Sequence, residues 1–157
     1  MKILNYTVGT GVALSSLLYY NRDKITNKFI VPNLHKCDPE TAHNIAINLL
    51  SLGITPKVKI IENDSLILNL WNKEFKNPIG LAAGFDKNAK AYKNLYNFGF
   101  SFVEVGTMTP LPQPGNPKPR IFRFENYIKN RCGLNNNGID TILPRLQLSN
   151  NNILGVN

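Results

Sequence analysis

Hydrophobic spacing changes character three times along the chain. Residues 3–20 form a run of 18 positions without a charge, closed by Tyr19-Tyr20 ahead of Arg22 and Lys24. Leu14, Leu17 and Leu18 make it apolar, while Thr, Ser and two glycines interrupt it. Its length sits near the lower limit for a membrane span, and paired tyrosines before basic residues resemble an interfacial anchor. The run predicts a single membrane helix, with a cleaved targeting segment or a peripheral helix as the other readings. Helical periodicity follows. Asp38 is a good N-cap with Pro39 at the first helical position. Ala42, Ile45, Ala46, Leu49 and Leu50 then recur as a stripe, and Gly53 supplies the stop.

Beyond residue 65 the pattern turns to short apolar runs broken by turn residues. Leu66-Ile-Leu-Asn-Leu-Trp71 and Glu74-Phe75 flank Asn72-Lys73 and predict a β-hairpin. A strand over 79–84, a helix over 89–98 and a strand over 101–106 follow. Ala91, Leu95 and Phe98 face inward on that helix, and Gly99 ends it. Such alternation predicts a parallel βαβ unit. Five prolines between Pro110 and Pro119 exclude a regular helix or central strand, so this stretch predicts a stiff excursion over the strand ends. A helix over 139–148, kinked or shortened by Pro144, leads through a polar turn to a third strand at 153–157.

Composition narrows the class. A hydrophobic content of 43% in 157 residues is that of a globular protein able to bury one ordinary core. The formal charge of +8 does not point to nucleic acid, because no basic helix interleaves with aromatics. Residues 1–36 carry five Lys/Arg against one acid, as do residues 118–131. The first cluster suits an anionic membrane surface or mitochondrial import. The second suits an acidic substrate or a quinone head group, with a generally solvated basic surface as the plainer reading. Cys37 and Cys132 are too few and too scattered for a disulfide framework, which favours a reducing compartment. His35 and His43 lack the clustered thiol or carboxylate partners that a metal needs.

Three motifs carry the chemistry. Asn77-Pro-Ile-Gly-Leu-Ala-Ala-Gly-Phe-Asp-Lys87 is an apolar strand that ends in small residues and then presents an acid and a lysine. Small residues let a flat cofactor lie against the backbone, and the lysine then stands at the mouth of the strand. Phe102-Val-Glu-Val-Gly-Thr107 repeats the design with a Gly-Thr ending. Asn130-Arg-Cys-Gly-Leu-Asn-Asn-Asn-Gly138 is an amide-rich loop suited to a planar, hydrogen-bonding ligand.

Taken in order with Asp38-Pro39-Glu40, Ala42-His43 and the proline-rich run ending Pro-Arg-Ile-Phe-Arg123, these motifs resemble the dihydroorotate dehydrogenases, specifically the membrane-associated, quinone-linked class. The resemblance covers roughly residues 37–157. It implies an α/β fold, the N-terminal part of a TIM (β/α)8 barrel with about three of eight strands, preceded by a membrane-anchor segment and a small helical domain. The corresponding divisions are 1–22 for the anchor or targeting segment, 23–55 for the helical quinone-tunnel domain and 56–157 for the incomplete flavin-binding barrel. A whole barrel typically takes about 250 residues, which suggests an N-terminal fragment or a truncated gene model.

The resemblance also implies roles. FMN is the cofactor and ubiquinone the electron acceptor, in the oxidation of dihydroorotate to orotate for pyrimidine biosynthesis. Ala83, Gly84, Phe85, Asp86, Lys87, Thr107, Asn130 and Asn157 match flavin-contacting positions, although Phe85 and Asp86 also suit packing and a helix cap. Lys87, Asn130, Arg131, Cys132, Gly133 and Leu134 match the substrate site. Cys132 and Leu134 are smaller than the residues common there, which implies a looser or repacked pocket. Pro39, His43, Ala46, Leu49, Ile121 and Arg123 match the quinone tunnel. The serine that serves as base in this class lies beyond Asn157, so no catalytic residue is assigned and the 157 residues alone are expected to be inactive. Partners are then dihydroorotate, a membrane quinone and the lipid bilayer, with no nucleic acid and no obligate protein partner. The expected location is the mitochondrial inner membrane, held by a single-pass anchor. A non-catalytic, membrane-anchored remnant is the alternative.

Overall fold

The computed structural model describes residues 20–55, 58, 63–147 and 152–157. The membrane helix expected over residues 3–20 therefore falls, except for Tyr20, outside the described residues. Among the described residues no helix is long and apolar enough to cross a membrane.

Helix α1 (Arg22–Ile25) continues through a π-helical turn (Thr26–Ile30) into α2 (Val31–Lys36). Cys37 is extended and breaks the run. Helix α3 (Pro39–Ser51) starts as expected, with the Asp38 carboxylate accepting from the Thr41 N–H at 2.9 Å. It stops at Gly53, whose φ of +77° suits a residue without a side chain. The Ile54 N–H returns to the Leu49 carbonyl and the Gly53 N–H to that of Leu50, each at 3.0 Å, so the last turn is closed.

The buried face of α3 differs from the expected stripe. Glu40, Ala42, Ile47 and Leu50 are buried, whereas Ile45 is 38% exposed. The buried side lies roughly a quarter-turn away from the apolar stripe at 100° per residue. The cause is that α3 has two occupied sides. Ile47 and Leu50 enter the core, while Glu40 turns inward because an arginine meets it there.

Strands β1 (Leu68–Leu70) and β2 (Lys73–Phe75) form the expected antiparallel hairpin. Its turn is Trp71-Asn72, one residue earlier than the pattern suggested. Both residues have positive φ, 52° and 56°, as a tight primed turn demands. The hairpin buries Phe75, whose ring meets Phe102 edge-on at 5.7 Å.

Strands β3 (Gly80–Leu81), β4 (Phe102–Val105) and β7 (Ile153–Val156) make a parallel sheet in the order β3-β4-β7. Gly80 pairs with Phe102 and Phe102 with Ile153. A side chain on Gly80 would enter the Phe102 ring, so that position needs glycine. Between β3 and β4 lie α4 (Tyr92–Leu95) and a 3-10 turn (Tyr96–Phe98), which together form the βαβ crossover. The helix begins at 92 rather than 89 because Ala89, at φ +51°, is left-handed. Val103 and Val105 are fully buried and meet Ala91, Tyr92, Leu95, Ile47, Leu50 and Ile142 in the core.

The proline-rich excursion is irregular, as expected. It ends in a hairpin absent from the pattern reading, β5 (Ile121–Arg123) with β6 (Ile128–Asn130). Helix α5 (Ile139–Ile142) gives way to a 3-10 turn (Leu143–Arg145) around Pro144, which shortens the helix expected over 139–148.

Candidate active site

The C-terminal ends of the three parallel strands converge. The Gly84 N–H donates to the Gly106 carbonyl at 2.8 Å, and the Met108 N–H to that of Asn157 at 2.9 Å. The Thr107 hydroxyl donates to the Asn157 side-chain oxygen, and the Asn157 amide donates to Glu104 Oε1 at 3.1 Å. Thr107 and Asn157, fifty residues apart, thus stand side by side. A Cβ on Gly106 would come within 2.6 Å of the Asn157 carbonyl, whereas one on Gly84 would meet no atom within 4 Å. Gly106 is therefore glycine for close strand packing. Gly84, at φ +99°, leaves open backbone beside half-buried Ala83.

Lys87 stands at the edge of this mouth, with its ammonium donating to the Gly84 carbonyl at 2.8 Å. Asp86 has a different task. It is 1% exposed, and its carboxylate accepts from the N–H groups of Lys90, Ala91 and Tyr92 at 2.7–2.9 Å. It caps α4 and thereby fixes the turn that carries Lys87. Phe85 meets the His43 ring edge-on at 5.3 Å.

A cavity of about 300 Å³ opens between α3 and the residue 85–90 turn. Its walls include His43, Ile47, Phe85, Lys87, Ile121 and Cys132. Burial first, and the nearby Lys87 ammonium second, hold the His43 imidazole below its ordinary pKa, so it is neutral at pH 7. Asn135 also lines the cavity, and its side-chain oxygen is buried without a protein partner. Such an atom is a ready acceptor for a ligand donor. Of the residues matched to the tunnel, His43 and Ile121 line this cavity. Pro39, Ala46, Leu49 and Arg123 do not, and Arg123 instead donates to the His35 carbonyl at 2.7 Å.

The amide-rich loop is held by a residue that pattern reading treated only as polar. Asn136 is 5% exposed, accepts from the Gly138 N–H at 2.8 Å and donates to the Leu134 carbonyl and the Thr109 hydroxyl. Asn130 is exposed, with its oxygen 3.5 Å from the Cys132 N–H. Arg131 donates to the Pro119 carbonyl and lies over the Phe122 ring. Gly133 and Leu134 both have positive φ, and Leu134 is 55% exposed. Only Cys132 and Asn135 of this loop reach the cavity. The sequence held no sign of the buried Glu40–Arg120 pair, whose partners are 80 positions apart.

The arrangement offers a cation, several amides and open backbone at the strand mouths. That combination suits a planar anionic ligand stacked on a flat cofactor. The sequence profile of the family described as dihydroorotate dehydrogenase matches residues 65–157. The mitochondrial quinone-linked dihydroorotate dehydrogenase of Schizosaccharomyces pombe is 49% identical over 129 residues, covering 80% of this chain and 29% of its own length. Its mouse counterpart is 39% identical over 143 residues, covering 88% and 36%. Among solved structures, the Eimeria tenella enzyme in complex with ferulenol superposes with a TM-score of 0.70 at 46% identity, covering 76% of this chain and 35% of that one. The chain thus spans about a third of the length of the relatives it matches.

Proposed function

Because this chain belongs to the dihydroorotate dehydrogenase family, we propose that it contributes the flavin-facing strand ends and substrate loop of an enzyme that oxidises dihydroorotate to orotate and passes the electrons to a quinone. The observation that carries the reading is the single convergence of Lys87, Gly84, Thr107 and Asn157 at the mouths of β3, β4 and β7. The residues fit FMN. Gly84 leaves open backbone that a flat ring system could approach, and Asn135 keeps an unpaired buried oxygen in the cavity that Lys87 also lines. When bound, FMN supplies the hydride acceptor and the relay to the quinone.

In this reading Ala83, Gly84, Thr107 and Asn157 hold the cofactor. Lys87 places positive charge beside both the cofactor and the substrate carboxylate, which favours the anion over neutral competitors. Asn130 and its loop hydrogen-bond the pyrimidine ring. The His43 and Ile121 side of the cavity receives the quinone, and the neutral imidazole adds no second cation there beside Lys87. Residues 1–22 tether the protein to a bilayer, and the relatives' mitochondrial names support a mitochondrial location.

Orotate titration tests the site directly. Lys87→Met removes the charge and retains most of the length, and should weaken orotate binding by about tenfold or more, the loss of one charge-assisted hydrogen bond. Unchanged affinity would remove Lys87 from the substrate site.

A further inference from the structure

Arg120 is 7% exposed, and all three of its nitrogens are engaged. Nε and Nη2 donate to the two oxygens of Glu40 at 3.1 and 2.6 Å. Nη1 donates to the carbonyls of Pro114 and Asn116 at 2.5 and 3.1 Å. Glu40 sits in the first turn of α3, so one guanidinium joins that helix to the proline-rich excursion.

The excursion in turn grips the amide-rich loop. The Asn116 N–H donates to the Cys132 carbonyl at 3.0 Å, and its side-chain amide to the Arg131 carbonyl at 2.8 Å. A Cβ on Gly115 would fall 2.2 Å from the Cys132 carbonyl and 2.7 Å from both Arg120 and Asn135. A continuous path of contacts therefore runs from α3 through Arg120 and residues 114–116 to Cys132 and Asn135. Lys118 adds a second cation 3.4 Å from Glu40, but it is 66% exposed and screened.

A buried ion pair is a poor source of stability, since desolvation offsets much of its attraction. A bidentate fork does fix direction. We propose that Glu40 and Arg120 are positioning residues that lock the 130–135 loop to α3 and so set where Cys132 and Asn135 stand in the cavity. That this loop serves substrate rests on the functional reading above; the lock itself does not.

The two cysteines supply the test. Iodoacetamide labelling of the full chain, with each site resolved by peptide mapping, reads Cys132 on the loop and Cys37 on the helical side. Glu40→Gln and Arg120→Lys should each raise the Cys132 rate by about fivefold or more through local opening, with Cys37 within about twofold of wild type. Glu40→Asp keeps the charge but withdraws it from Arg120 by one methylene and should also raise the Cys132 rate alone, which decides the matter if the first two variants do not fold. An unchanged Cys132 rate, or a parallel rise at both thiols, would overturn the proposal. Orotate titration of the protein that carries this chain, loaded with FMN, reports separately on the functional reading: a wild type that holds FMN but binds no orotate defeats that reading and leaves the thiol result standing.

Discussion

Asp86 and His43 illustrate how single residues here serve the site at one remove. The Asp86 carboxylate accepts three backbone N–H groups at the start of α4 while almost wholly buried. Asp86→Ala leaves those donors unpaired and should cost about 3 kcal/mol, the scale of losing buried hydrogen bonds to a charge. Urea denaturation checks this. His43 makes a pH-dependent contribution. Its folded pKa is depressed by burial and then by Lys87, while the unfolded imidazole titrates near the ordinary histidine value of 6.5. The unfolded chain therefore binds the proton more readily, and stability present above pH 6.5 is lost as pH falls through the folded value. The melting temperature should fall as pH drops from about 7.5 to about 5.5, roughly one unit either side of the ordinary histidine value, and His43→Asn should flatten that slope. An equal slope in the variant would assign the effect elsewhere.

Elements show why some of the structure was legible and some was not. The endings of β4 and β7 were readable because each is a local run, Gly-Thr and then an asparagine, whereas β3, expected over 79–84, stops at Leu81 and gives way to a turn. The βαβ order followed from alternation between two periods. The start of α4 was not readable, since nothing local signals that Ala89 takes a left-handed conformation. Trp71 at φ 52° is equally unannounced, and it shifted the hairpin turn. Strands β5 and β6 are three residues each and mix apolar with charged positions, so they carry no usable alternation. The inward turn of Glu40 on α3 depends on Arg120, which is distant in sequence. By contrast the end of α3 was legible from Gly53 alone. Gly53→Ala forces a side chain into φ +77° and should cost about 1 kcal/mol, read as a lower melting temperature with the cavity residues undisturbed.

At the scale of the molecule, the three-stranded sheet and α3 form one core, and the candidate site lies where they meet. Leu95, 2% exposed between the sheet and α3, is a core position. Leu95→Ala should destabilise by about 2–5 kcal/mol through lost burial and the cavity left behind. The site itself gathers residues from four segments: the turn after β3, the end of β4, the loop after β6 and the end of β7. The measurement that bears most directly on the whole account is dihydroorotate-dependent reduction of a quinone by the protein that carries this chain, supplied with FMN, compared between wild type and Lys87→Ala. The wild type should turn over and the variant should lose about a hundredfold or more in kcat/KM, as expected when a charge at the reacting centre is removed. Equal turnover by the two proteins, or no turnover by a wild type with FMN bound, would contradict this reading.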